Sequence, residues 1–391
     1  MIKNRLFLFL FSQFFILGLG DCIVSPLIPM LAKNYGVGLE VIGSTLSLNT
    51  FGILLTSLFS GILLERFGRK NIFTIGSLLF IATFLSLYFS KYFIFFALSY
   101  FVFGLSRGII TINSTTIVVD NSISNKSKRV LRLHLGFMSG AFIAPILVSI
   151  ILRLNSDWKY LFLLVAFINT ILLVSILSIK PEGFSTNNKE NLRSIFFANR
   201  MLLSNKIIIL CGIINFFDYG FSAIFIAWFT TYWKNLNITL ETGSLILSLY
   251  LLMNMFGMLT KSSLVTKLGE RKVIQLFPIL SLALLGISFF IDLLIIKIIL
   301  ILLFGFSFPG IGGISLAMSV KQNTHYSGSI TSIQYSFSYS GIIIFHYVAG
   351  YLMGNFSLNS IIYIGLAAVF LLIIFTNILN FYYKSEAKSY S

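Results

Sequence analysis

The chain has 391 residues, of which 57 % are hydrophobic and only 10 % charged. Soluble domains carry about 25 % charged residues, and a mean hydropathy of +0.94 leaves too little polar surface for a soluble enzyme or a nucleic-acid site. The 28 lysines and arginines against 12 acids suit basic loops beside lipid instead.

A membrane-spanning helix needs about 20 mostly apolar residues. Breaks at clusters of charge, Gly, Asn and Ser predict spans at 6–31, 42–64, 72–90, 93–119, 134–153 and 160–179. After the polar loop 180–206 come spans at 207–231, 243–266, 273–291, 297–319, 329–353 and 358–381. All should be helices, because lipid offers no partner to an unpaired backbone group. The first span follows Lys3 and Arg5 without a small-residue cleavage site, so we read it as a retained helix rather than a signal peptide.

Placing the N-terminus in the cytoplasm puts 21 lysines and arginines inside, Lys261 among them, against six outside. The positive-inside rule therefore expects both termini to be cytoplasmic. Shifting the chain by 200–201 residues aligns Gly68-Arg-Lys70 with Gly269-Glu-Arg271, and Ser139-Gly140 with Ser340-Gly341. Six spans per half make this a parallel repeat: an N-terminal bundle over 1–179, a cytoplasmic linker over 180–206 and a C-terminal bundle over 207–391.

The loop between spans two and three reads Gly61-Ile-Leu-Leu-Glu65-Arg66-Phe-Gly68-Arg69-Lys70. It resembles the loop 2–3 signature of the major facilitator superfamily, G-x-L-x-D-R-x-G-R-K, with Glu in place of Asp. The resemblance implies an all-α integral membrane fold of twelve helices in two pseudo-symmetric six-helix bundles. It also implies a conformational latch at Glu65, with Arg66 or Arg69 pairing with Asp120. Span five carries Gly136, Gly140 and Pro145, similar in part to the glycine-proline motif of the antiporter branches. Tyr100 stands where drug exporters of that branch usually carry an Arg.

Sorting the charges by side leaves three ionisable residues, other than histidine, deep in the bilayer: Asp21 in span one, Arg107 in span four and Asp218 in span seven. Each costs roughly 2.5–3.5 kcal/mol at a helix centre, so none should face lipid. A buried carboxylate with a changeable environment can take up a proton in one state and release it in another. Candidate cavity-lining polar residues at similar depth are Asn49, Asn113, Asn215, Tyr219, Asn254, Gln334, Tyr335 and Tyr339.

Neither Cys22 with Cys211 nor the three histidines offers a metal-ligand spacing. No nucleotide-binding loop and no nucleophile–base pair is visible, so a cofactor and an enzymatic activity are not expected. The family resemblance instead implies a secondary transporter in the plasma membrane that cycles by alternating access. The expected activity is proton-coupled export of small organic or drug-like molecules by a monomer, with protons, a small-molecule substrate and the lipid bilayer as partners and no nucleic acid. The alternative is an importer or exchanger of a small anionic solute held by an Arg107 free of Asp21. A non-transporting membrane receptor is a further alternative.

Overall fold

The computed structural model describes residues 4–120, 126–177, 202–323 and 326–389, and among them the chain is almost wholly helical. The first half holds α1 (Asn4–Tyr35), α2 (Leu39–Phe67), α3 (Arg69–Phe89), α4 (Phe93–Asp120), α5 (Lys126–Arg153) and α6 (Tyr160–Leu177). The second holds α7 (Lys206–Asn235), α8 (Leu240–Leu268), α9 (Glu270–Phe290), α10 (Leu294–Ser307), α11 (Ile311–Val320), α12 (Ser327–Asn355) and α13 (Ser360–Ser389). The predicted linker 180–206 falls, as far as residue 201, outside the described residues.

Among the described residues, ten helical segments are long and apolar enough to cross a bilayer; α10 and α11 together make one of them. The predicted tenth span is thus two helices, not one. Pro309 has no N–H to give the helix ladder, and Gly310 takes a left-handed conformation (φ 94°), which an L side chain disfavours. By contrast α1 runs on through Pro26 and Pro29. Leu78, Phe89, Phe95, Ile171, Phe290, Ile295 and Phe370 stay exposed on helix faces, as hydrocarbon contact allows.

By contact the chain divides into two compact units, Met1–Lys189 with Ala227–Ser248, and Glu190–Ile226 with Leu249–Ser391. In the first, α1 packs on α5, α2 on α4, and α3 on α4 and α6. Backbone contact sets these pairs: a Cβ on Gly140 would run into the Phe15 carbonyl, and one on Gly136 would lie 2.7 Å from the Phe11 carbonyl. Small residues one turn apart let helices approach closely where lipid supplies no hydrophobic drive. Thr230 of α7 donates to the Ser25 carbonyl (3.2 Å) and Ser248 of α8 to the Phe142 carbonyl (2.9 Å), which ties 227–248 to this unit.

The second unit repeats the pattern internally. Gly341 of α12 meets the Phe216 carbonyl of α7, each residue lying 201 places after Gly140 and Phe15. Gly68 and Gly269, also 201 apart, start α3 and α9 with φ of 76° and 82°. The repeat read from short sequence matches is therefore a repeat of backbone contacts and of left-handed turns.

Candidate functional site

In the first unit, α1 presents Asp21 and α4 presents Arg107. The Arg107 guanidinium donates through Nη1 to Asp21 Oδ1 at 2.5 Å, and its carbon lies 5.5 Å from the centre of the Phe137 ring of α5. Gly52 and Gly104 hold α2 and α4 together beside them. The pair keeps 24 % and 22 % side-chain exposure, so it is reachable although it lies deep within spanning helices. Cys22 and Tyr100 fall within electrostatic range of it.

The other expected cavity residues of this unit are engaged between helices. Asn49 of α2 donates to the Tyr100 carbonyl of α4 (2.7 Å), and Asn113 of α4 donates to the Arg69 carbonyl of α3 (2.7 Å). Both amides satisfy backbone oxygens and fix helix register. Gly136 and Gly140 likewise form the α1–α5 contact, and Pro145 lies inside the continuous α5. Of the expected latch, Gly68 makes the turn, with Arg69 and Lys70 in the first turn of α3. The side chains of positions 60–66 and 119–128, hence Gly61, Glu65, Arg66 and Asp120, lie outside the described residues.

The second unit gathers a denser polar cluster around the break in span ten. Asp218 of α7 is 2 % exposed, and its Oδ2 accepts the Gly312 N–H at 2.8 Å. That N–H sits in the first turn of α11, where the helix dipole favours a negative group. At the opposite end of the break, Lys261 of α8 is 1 % exposed. Its ammonium donates to the Phe306 carbonyl (2.9 Å) and the Pro309 carbonyl (2.7 Å). These oxygens lose their helical donors where the ladder stops. Gly257, one turn before Lys261, lets α8 touch the backbone at Phe306. Lys261 and Asp218 also act on each other electrostatically.

Lys261 is the clearest departure from the sequence reading, which counted it among loop charges. It belongs to α8 and neutralises a helix end. Lys297, in the first turn of α10, is also buried.

Asn215 stands one turn before Asp218 and donates to Gln334 Oε1 of α12 (2.8 Å); Gln334 in turn donates to the Ile208 carbonyl (2.8 Å). Tyr219 packs against Gly312. Tyr335 stacks on Tyr339 with ring centres 6.1 Å apart and planes at 21°. Both tyrosines lie within electrostatic range of Tyr219. Asn254 of α8 faces Gly305, with its oxygen 3.3 Å from where a Cβ there would sit. Among the described residues no three His, Cys, Asp or Glu side chains gather as a metal site would need.

Comparison with known proteins agrees with this architecture. A curated relative, a TsgA homolog from Buchnera aphidicola subsp. Baizongia pistaciae (strain Bp), is 23 % identical over 297 residues, 75 % of this chain and 74 % of that protein. A crystal structure of a D-xylose-proton symporter superposes with a TM-score of 0.80 at 13 % identity, covering 96 % of this chain and 97 % of that one. A crystal structure of the nucleoside transporter NupG gives a TM-score of 0.76 at 13 % identity, covering 98 % of this chain and 99 % of the other. The family model of the Major Facilitator Superfamily matches residues 10–346. With that match and this fold, the chain belongs to the Major Facilitator Superfamily of membrane transporters.

Proposed function

We propose that this transporter is proton-coupled and moves a small organic solute by alternating access between two six-helix bundles, 1–179 and 207–391. The observation that carries the reading is the Asp21–Arg107 pair. It places a carboxylate and its counter-charge on different helices deep in the spanning region, while both keep partial exposure. A proton on Asp21 removes the attraction that joins α1 to α4, so protonation and helix arrangement are linked. Asp218 is the second protonatable centre, held by the start of α11.

The same pair weighs against an anion exchanger. Such a site needs a guanidinium free to bind its solute, and Arg107 is already neutralised by Asp21. Export remains our proposed direction, on the resemblance of span five to antiporters. The glycines of that motif also serve the α1–α5 contact, and the second unit repeats that contact at Gly341. The plasma membrane, cytoplasmic termini and a monomeric state complete the proposal.

The test is a solute screen in proteoliposomes with an imposed pH gradient of either sign. Proton-coupled export predicts solute movement opposite to the proton gradient. Solute moving with the protons would replace export by symport, and movement indifferent to the gradient would overturn the coupling.

A further inference from the structure

Groups that attract a cation converge on the Lys261 ammonium from three elements. The Phe306 and Pro309 carbonyls accept from it at 2.9 and 2.7 Å. Both lie at the C-terminal end of α10, the negative end of its dipole. The Phe277 ring of α9 has its centre 4.7 Å from the nitrogen, and a ring face holds a cation most strongly where water is excluded. Asp218 of α7 adds an attractive charge at longer range. The lysine is 1 % exposed, so these groups take the place of its water.

The lysine and the break occur together. The 201-residue repeat places Ser60 and Gly108 in the first half where the second has Lys261 and Pro309. There α4 runs unbroken from Phe93 to Asp120, and the matching position on α2 carries no charge. In the second unit Gly257 brings the α8 backbone against the Phe306 carbonyl, which sets the lysine stem one turn further on within reach of the break. In transporters with broken spanning helices, unwound carbonyls and the C-terminal ends of half-helices are the groups that coordinate a sodium ion.

We propose that the break in span ten is a monovalent-cation site that this chain fills with its own lysine. The ammonium is a tethered ion: it serves the Phe306 and Pro309 carbonyls and keeps sodium and potassium from them. Without it the cradle takes a free cation, ammonium best of all, because its N–H groups can donate to both carbonyls as lysine does. The occupant of the break is the same whichever ion drives transport, so the inference stands apart from the proton-coupled reading.

The test follows labelling of Cys211 by a thiol-reactive dye in purified full-length protein carrying Cys22→Ser. Choline chloride is replaced by sodium, potassium, ammonium or methylammonium chloride at constant pH and ionic strength. Lys261→Ala is expected to label fast in choline, and about tenfold more slowly once ammonium reaches about ten times its dissociation constant. The parent is expected to label at one slow rate in every salt. Lys261→Met, whose side chain fills the space without a charge, is expected to label fast in every salt. Lys261→Gln covers the case in which Lys261→Ala does not fold: its amide donates to one carbonyl and adds an oxygen to the cradle, and ammonium or potassium should slow its labelling. Rates indifferent to the cation in both Lys261→Ala and Lys261→Gln would overturn the proposal and leave the lysine a plain helix-end cap. So would a parent protected by a cation as strongly as Lys261→Ala, or a Lys261→Met protein that responds as Lys261→Ala does. Failure of both Lys261→Ala and Lys261→Gln to fold when extracted in ammonium chloride would also overturn it.

Discussion

Replacing Lys261 with Met isolates what the ammonium does at the break in span ten. The variant keeps the length of the side chain and removes two charged donations, to Phe306 and Pro309. Each freed carbonyl then lacks its partner in a buried site, at about 1–3 kcal/mol apiece. Asp218 also loses its facing positive charge, while the cost of burying an ammonium is relieved. Neutral interhelical hydrogen bonds in membranes average about 0.6 kcal/mol, so a charged donor serving two oxygens should exceed that severalfold. We expect a loss of about 3–5 kcal/mol, as for removal of one partner of a buried charge pair. At roughly 2–4 °C per kcal/mol this lowers the melting temperature by about 6–20 °C. The two buried cysteines allow each unit to be read by itself, Cys22 in the first and Cys211 in the second. A thiol-reactive dye in detergent, with Cys22→Ser or Cys211→Ser as background, should show Cys211 released early and Cys22 little changed. Adding Asp218→Asn should restore part of the loss, with a coupling of about 0.5–3 kcal/mol. A Lys261→Met protein that exposes Cys211 within about 2 °C of the parent would refute the role given to this lysine.

The remaining predictions address the other contacts. Asp21→Asn keeps an acceptor for Arg107 and should leave folding unchanged while abolishing solute accumulation under a pH gradient, read in proteoliposomes. Gly312→Ala should lower coupled transport about tenfold or more, a barrier of about 1.4 kcal/mol, because its Cβ meets Asp218, Asn215 and Tyr219. Gly313→Ala, with nothing within 4 Å, is the neutral control in the same assay. Gly140→Leu and its repeat mate Gly341→Leu should each abolish the monodisperse folded peak in size-exclusion chromatography, since backbone carbonyls occupy the space. Glu65→Gln should shift the balance between inward- and outward-open states, seen as a changed distance distribution between spin labels on the two halves.

The features legible in sequence were those written as composition or as a shared offset. Asp21, Arg107 and Asp218 stand out because charges are rare in spans, and the structure does pair the first two. The 201-residue offset reappears in Gly140 and Gly341 and in the turns at Gly68 and Gly269. Lys261 was hidden because Lys267, Arg271 and Lys272 follow within three turns, and counting charges by loop absorbed it. Its role depends on carbonyls some 45 residues away that become free only where α10 stops. The break in span ten takes both Pro309, which has no N–H for the ladder, and the left-handed Gly310. Asn49 and Asn113 looked like cavity residues because a linear pattern does not reveal which backbone oxygen an amide will meet.

The most direct measurement of the central claim records proton and solute flux together, in the same proteoliposomes, with a solute found by the screen. The account predicts a fixed ratio of protons to solute, with both fluxes lost under gradient drive in Asp21→Asn. Solute flux that continues without proton movement, or full gradient-driven transport by Asp21→Asn, would contradict it.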